Sequence, residues 1–133
     1  APATNIDFHT ISTTPDFSFI LEDLDYVFAH AIFIHFNLYF MDVYFKLFAE
    51  KLKVGGRIYF DIANSDTINF RENILFREYA NRAAQNFVNS DTDLRFNSQK
   101  NVEKLAQAYG FKLFHTKDYS QGITDLYFEK VPN

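Results

Sequence analysis

Cysteine and tryptophan are missing altogether from this sequence, and glycine and proline are scarce, with four and three residues among 133. Without cysteine there are no disulfides, no thiolate nucleophile and no Cys-ligated metal, and such a composition suits a reducing compartment such as the cytoplasm. The four glycines stand at positions 55, 56, 110 and 122. None belongs to a Gly-x-x-x-x-Gly-Lys-Ser/Thr turn or a Gly-x-Ser-x-Gly elbow, which excludes P-loop nucleotide hydrolases and serine hydrolases built on that elbow. No apolar run is long enough to span a bilayer, and no signal peptide is recognisable. The chain opens Ala1-Pro2-Ala3 rather than with methionine, so processing or a longer parent is expected. A formal net charge of −4 leaves no basic footprint, which disfavours nucleic acid as a partner.

What is present is apolar and aromatic. Hydrophobic residues make up 47% of the chain and aromatics 19%, with 17 phenylalanines, which argues against disorder and for one ring-filled core. A chain of this length folds as one domain and buries roughly two-thirds of its unfolded surface. The run at 25–33 is β-branched and aromatic, follows the acidic residues Glu22, Asp23 and Asp25, and ends in a polar turn at Asn37. It reads as a strand buried on both faces, as in the middle of a parallel sheet. From Asn37, a plausible N-cap, Met41, Tyr44, Phe45, Phe48 and Leu52 repeat at helical spacing until Gly55-Gly56 ends the helix. A second buried strand is expected at 57–63, so strand, helix and strand form a right-handed βαβ unit with the two strands parallel.

Elsewhere the pattern predicts an edge strand at 5–11, a helix at about 68–88, and a helix capped by Ser98 and stopped by Gly110. Val102, Leu105, Ala106 and Tyr109 are its inward side. Strands at 111–116 and 125–131, joined through Gly122, should pair as an antiparallel hairpin.

Ligands of open α/β sheets bind beyond the carboxyl ends of the strands. His30 and His35 stand at that end of the first central strand, and Asp61 and Asn64 at that end of the next. His35 is the candidate general base, the role that a histidine most often fills. Asp61 and Asn64 are candidates to orient a substrate or the base, while Asp25 lies at the opposite end and has a structural role. The two histidines have no third ligand at metal-binding spacing, so no metal is expected. Arg71, Arg77 and Arg82, among Glu72 and Glu78, would suit an anionic acceptor.

Three stretches together carry a resemblance: Asp25 opening the strand, His30-Ala31-Ile32-Phe33-Ile34-His35 closing it, and Leu52-Lys53-Val54-Gly55-Gly56-Arg57 turning into the next, with Val54 where a proline is usual. Phe96-Asn97-Ser98, a helix, Gly110-Phe111 and a closing hairpin follow in matching order. The chain resembles class I S-adenosylmethionine-dependent methyltransferases, over about residues 5–131. The resemblance implies a Rossmann-like α/β sheet, truncated at its N-terminal side, with parallel central strands and an antiparallel C-terminal hairpin. It implies S-adenosyl-L-methionine as cofactor, with Ala29, His30 and Ala31 bordering its methionine part. It also implies a lid, carrying Arg71, over a small-molecule O or N acceptor. A DNA adenine methyltransferase would show Asn-Pro-Pro-Tyr or Asp-Pro-Pro-Tyr where this chain has His-Ala-Ile-Phe.

The family binds its cofactor largely through a glycine-rich loop after its first strand, and no glycine precedes residue 55. The chain therefore resembles such an enzyme from about its third strand onward, as a C-terminal fragment or a degenerate relative. A strand lacking its neighbour invites a homodimer or the missing N-terminal half as partner. A non-catalytic α/β interaction domain that has lost cofactor binding is the alternative.

Overall fold

The computed structural model describes residues 5–12, 14–21, 23–67, 94–119 and 122–132. A first strand, β1 (Leu24–Ala29), is followed by a 3₁₀ turn (Phe33–His35), helix α1 (Leu38–Lys51) and the long strand β2 (Leu52–Asn64). Then come the short β3 (Phe96–Asn97), helix α2 (Gln99–Ala108), β4 (Phe111–Asp118) and β5 (Ile123–Lys130). The sheet order is β1-β2-β5-β4, with β3 added beside β2. β1 and β2 run parallel, Val27 facing Ile58 and Ala29 facing Phe60. β5 is antiparallel to both β2 and β4. The expected βαβ unit and closing hairpin are therefore both present.

Each element has a local cause. The Asn37 side chain accepts from the Phe40 amide at 2.9 Å and so starts α1. At its other end the Lys130 ammonium reaches the carbonyls of Ala49 (2.5 Å) and Leu52 (2.7 Å), placing positive charge on the negative pole of the helix. The helix stops at Lys51, and the chain is already extended when it reaches Gly55, whose φ of +86° suits only glycine at low cost. Gly56 has no room for a side chain: a Cβ there would lie 2.8 Å from the Lys53 carbonyl oxygen.

α2 is capped from outside. Ser98 occupies the N-cap position, but its hydroxyl donates to Asp66 (2.8 Å) instead of capping its own helix. Asp66 also accepts from the Lys100 amide (3.1 Å), and the Asn64 side-chain oxygen accepts from the Gln99 amide (3.3 Å). The turn after β2 thus pins the start of α2.

The core lies on one face of the sheet. Ile58, Phe60 and Ile62 of β2, with Leu126 and Phe128 of β5 and Phe111 of β4, pack against Met41, Phe45 and Phe48 of α1 and Val102 and Ala106 of α2. Phe60 is its centre, with ring centroids 4.6 Å from Phe33, 5.4 Å from Phe45 and 5.6 Å from Phe128.

Three expectations need correction. The run at 25–33 is not one long buried strand: β1 ends at Ala29, and residues 30–35 leave the sheet through Ala31 at positive φ and the 3₁₀ turn. Apolar composition alone did not distinguish a strand from a turn whose Phe33 plugs the core. β1 is also the last strand of the described sheet on its side, so Tyr26 and Phe28 are 48% and 67% exposed instead of buried. Residues 5–12 form no strand; Phe8 is exposed, and His9 stacks on Phe19 at 3.9 Å between ring centroids. The helix expected at 68–88 lies outside the described residues.

Candidate active site

The period of two along β2 sends alternate residues to opposite faces. Ile58, Phe60 and Ile62 enter the core, so Arg57, Tyr59 and Asp61 share the other face. Across the antiparallel ladder they meet Glu129, Tyr127 and Asp125. Phe28 of β1 joins the same row beside Tyr59, with ring centroids 4.8 Å apart.

At the carboxyl end this row becomes a polar network. The Asp61 side chain is buried and its Oδ1 accepts from the Ala31 amide at 2.8 Å. Its Oδ2 lies 3.3 Å from His30 Nδ1, which is also 3.1 Å from Tyr59 Oη. The Tyr59 hydroxyl donates to Asp125 Oδ1 (3.0 Å), and the Tyr119 hydroxyl donates to the second oxygen of the same carboxylate (2.9 Å). His30, Asp61, Tyr59, Asp125 and Tyr119 are thus joined from the end of β1, across β2, to the end of the hairpin. Among the described residues, no buried side-chain nitrogen or oxygen is left without a hydrogen-bond partner.

Burial pushes the Asp61 carboxyl above the usual carboxylate range, helped by the neighbouring Asp125. The Ala31 amide and the His30 ring pull the other way without overcoming it. Burial, then the hydrogen bond to Asp125, raises the Tyr59 hydroxyl well above its ordinary value, so it keeps its proton at any physiological pH. Tyr119 is raised chiefly by its hydrogen bond to Asp125.

The turn itself is strained. Ala31 adopts φ +57°, a left-handed conformation that costs a residue with a Cβ about 1–2 kcal/mol. The buried carboxylate of Asp61 holds its amide in place. Such strain, over-determined by its surroundings, is a recurrent property of ligand-contacting turns.

The sequence-named residues divide as follows. Ala29, His30 and Ala31 form this turn, and Asp61 is directly behind it. His35 closes the 3₁₀ turn at the same carboxyl end, its amide donating to Ile32 at 3.1 Å. Asn64 stands at the same end of β2, but its amide is fully used inside the protein. It donates to Gln99 (2.9 Å) and Thr124 (3.0 Å) and accepts from the amides of Asp66 (2.9 Å) and Gln99 (3.3 Å). Its observed work is to tie β2 to α2 and β5. Arg71, with Arg77 and Arg82, lies outside the described residues. Asp25 forms an ion pair with Lys53 at the opposite end of the strands. Among the described residues, no three histidine, aspartate or glutamate side chains gather as a metal site.

Sequence reasoning missed Tyr59, Asp125 and Tyr119. The alternation Arg57-Ile58-Tyr59-Phe60-Asp61 already put Tyr59 on the face of Asp61. Asp125 needed the β2–β5 register, which no local pattern specifies.

The turn leaves one small residue, Ala31, exposed in front of the Asp61 side chain, while Ala29 is 5% exposed and packs in the core. A carboxylate behind an open turn favours a cationic centre. No glycine-rich loop for the nucleotide part exists among the described residues.

No protein-family model matches the sequence, and no curated protein does. Solved structures do match. Human N-acetylserotonin methyltransferase, solved with SAM, superposes with a TM-score of 0.69 at 16% identity, over 99% of this chain and 36% of its own. Magnesium protoporphyrin IX methyltransferase from Synechocystis PCC 6803, with bound SAH, gives 0.58 at 12% identity, over 82% and 46%. An O-methyltransferase family 2 protein from Planctomyces limnophilus DSM 3776, in complex with apigenin, gives 0.59 at 17%, over 84% and 32%. The chain spans between about a third and a half of the length of these three.

Proposed function

Given that the chain has the fold of class I S-adenosylmethionine-dependent methyltransferases, we propose that it takes part in methyl transfer from S-adenosyl-L-methionine to a small-molecule oxygen or nitrogen acceptor. The observation that carries this reading is the turn 29–31 at the carboxyl end of β1, strained at Ala31 and backed by the buried Asp61 carboxyl. In this reading Ala29, His30 and Ala31 border the methionine part of the cofactor. When bound, the cofactor supplies the electrophilic methyl group. Alignment of the acceptor supplies most of the acceleration, and the protein adds removal of one proton. That proton goes to a histidine of the 30–35 segment, for which resemblance offers His35 and geometry offers His30. Asp61 orients the base, and Arg71 is the candidate contact for an anionic acceptor.

β1 is the outer strand of the described sheet, and an open strand edge is a template for pairing. We propose that a second copy, or a glycine-rich cofactor-binding half, covers it in the working protein, which acts in the cytoplasm. The absence of cysteine agrees with that compartment. Among the described residues no helix is long and apolar enough to cross a membrane.

The competing reading, a non-catalytic interaction domain, is favoured by the exposed aromatic pair Tyr26 and Phe28 and by the lack of any glycine before residue 55. Calorimetry with S-adenosylmethionine separates the two. Saturable heat supports the methyl-transfer reading; none at millimolar ligand supports the interaction domain, or a fragment separated from its cofactor-binding half.

A further inference from the structure

The protons of the rim network can be assigned one by one. Tyr59 has a single hydroxyl proton, and it goes to Asp125 at 3.0 Å. Asp61, once ionised, has no proton to give, and its other oxygen already accepts from Ala31 at 2.8 Å. His30 Nδ1 lies between these two acceptors, 3.1 Å from Tyr59 Oη and 3.3 Å from Asp61 Oδ2. With Asp61 ionised, the hydrogen in that gap sits on Nδ1. A neutral imidazole carries only one N–H, so Nε2, on the far edge of the ring, keeps its lone pair. The side chain is 63% exposed while Asp61 is 5% exposed. The ring is gripped from behind and open in front.

We propose that His30, and not His35, is the proton-accepting residue of the rim, with Asp61 and Tyr59 as positioning residues that fix its Nδ1–H tautomer and turn Nε2 toward the acceptor. This rests on the methyl-transfer reading and goes beyond it by naming the base and the groups that orient it. The step balances simply. The acceptor O–H or N–H bond breaks and an Nε2–H bond forms. The acceptor atom keeps the electron pair that bonds the methyl carbon, and the pair of the old S–CH₃ bond goes to sulfur. The imidazolium then returns its proton to solvent. Asp61, behind the ring, stabilises the imidazolium while it exists, as the carboxylate of a histidine–carboxylate pair does.

Long-range ¹H–¹⁵N correlation spectra of the full chain with labelled histidine read which ring nitrogen is protonated. They are recorded above the ordinary imidazole titration, at a pH of about 8. H30Q identifies the His30 signal among the four histidines. The expected result is Nδ1–H in the wild type, changing to Nε2–H in D61N. An Nε2–H His30 in the wild type overturns the proposal, and so does an Nδ1–H form that survives in D61N. The wild-type spectrum decides this even if D61N fails to fold. Calorimetry with S-adenosylmethionine on the same samples separates the two claims. Absence of heat in the wild type overturns methyl transfer by this chain on its own, and the base role with it, while leaving the tautomer assignment standing.

Discussion

The two faces of β2 show how one short alternation serves two different purposes. On one side Ile58, Phe60 and Ile62 are at most 1% exposed and pack in a cluster of rings and aliphatic chains that includes Phe33, Phe45 and Phe128. On the other side Tyr59 and Asp61 are nearly as buried, at 5% and 3%, yet nearly every contact that defines them is a hydrogen bond or an aromatic edge. Burial is similar, but the energetics are not. The apolar face gains stability from area and close packing. The polar face gains little, because each buried oxygen must first recover what water gave it. Its return is geometric: fixed hydroxyls and carboxylates at the carboxyl end of two parallel strands. The apolar face makes the fold, and the polar face carries the candidate site.

Mutations that treat the two faces alike should therefore have unlike effects. The largest belongs to Phe60, which touches Phe33, Phe45 and Phe128. F60A should lose about 3–5 kcal/mol by transfer and cavity terms, read as a fall in the denaturant midpoint. On the opposite face, Y59F keeps the ring and its stacking and removes only the bridging hydroxyl. A loss of about 1–2 kcal/mol is expected, from the Asp125 oxygen left without that donor. A loss as large as that of F60A would show that the polar face holds the fold as strongly as the core does.

A31G acts in the other direction. Glycine accepts φ +57° without the Cβ penalty but adds freedom to the unfolded chain, so a gain of about 0.5–1 kcal/mol in thermal unfolding is expected. The smallest effect is one of pH. Asp61 titrates higher in the fold than in the unfolded chain, beside His30, Tyr59 and Asp125. Its contribution to stability is therefore complete below the ordinary carboxylate value of about 3.9. It is lost as pH rises through the elevated folded value. D61N does not titrate, so it should gain on the wild type as pH climbs out of that acid window. A wild type that gains on D61N instead would mean that the pairing with His30 outweighs the burial of the charge.

Much of this was legible in the sequence, because the signals were local. Asn37 and the repeat Met41, Phe45, Phe48 specified α1, but the helix ends at Lys51, before the expected stop at Gly55-Gly56, which lies inside β2. Strand pairing followed from the rule that a strand–helix–strand unit must run parallel. The misreadings share a cause. Ala31 carries no turn signature, and Phe33 is as apolar as any strand residue, so the end of β1 at Ala29 was hidden inside a uniform hydrophobic run. Asn64 was readable as a turn residue or as one that orients a substrate, whereas four hydrogen bonds to three residues, Asp66, Gln99 and Thr124, occupy its amide. Asp125 entered the site only through cross-strand register, which depends on pairing between residues about 60 positions apart.

The central claim is that the turn at 29–31 and the Asp61 carboxylate behind it form the ligand-facing rim of this sheet. Backbone amide NMR with S-adenosylhomocysteine added to the full chain tests it most directly. The account predicts shift changes concentrated at Ala29, His30, Ala31 and Asp61, with the β4–β5 hairpin strands little affected. Changes confined to the β4–β5 hairpin, or none anywhere at millimolar ligand, would contradict it.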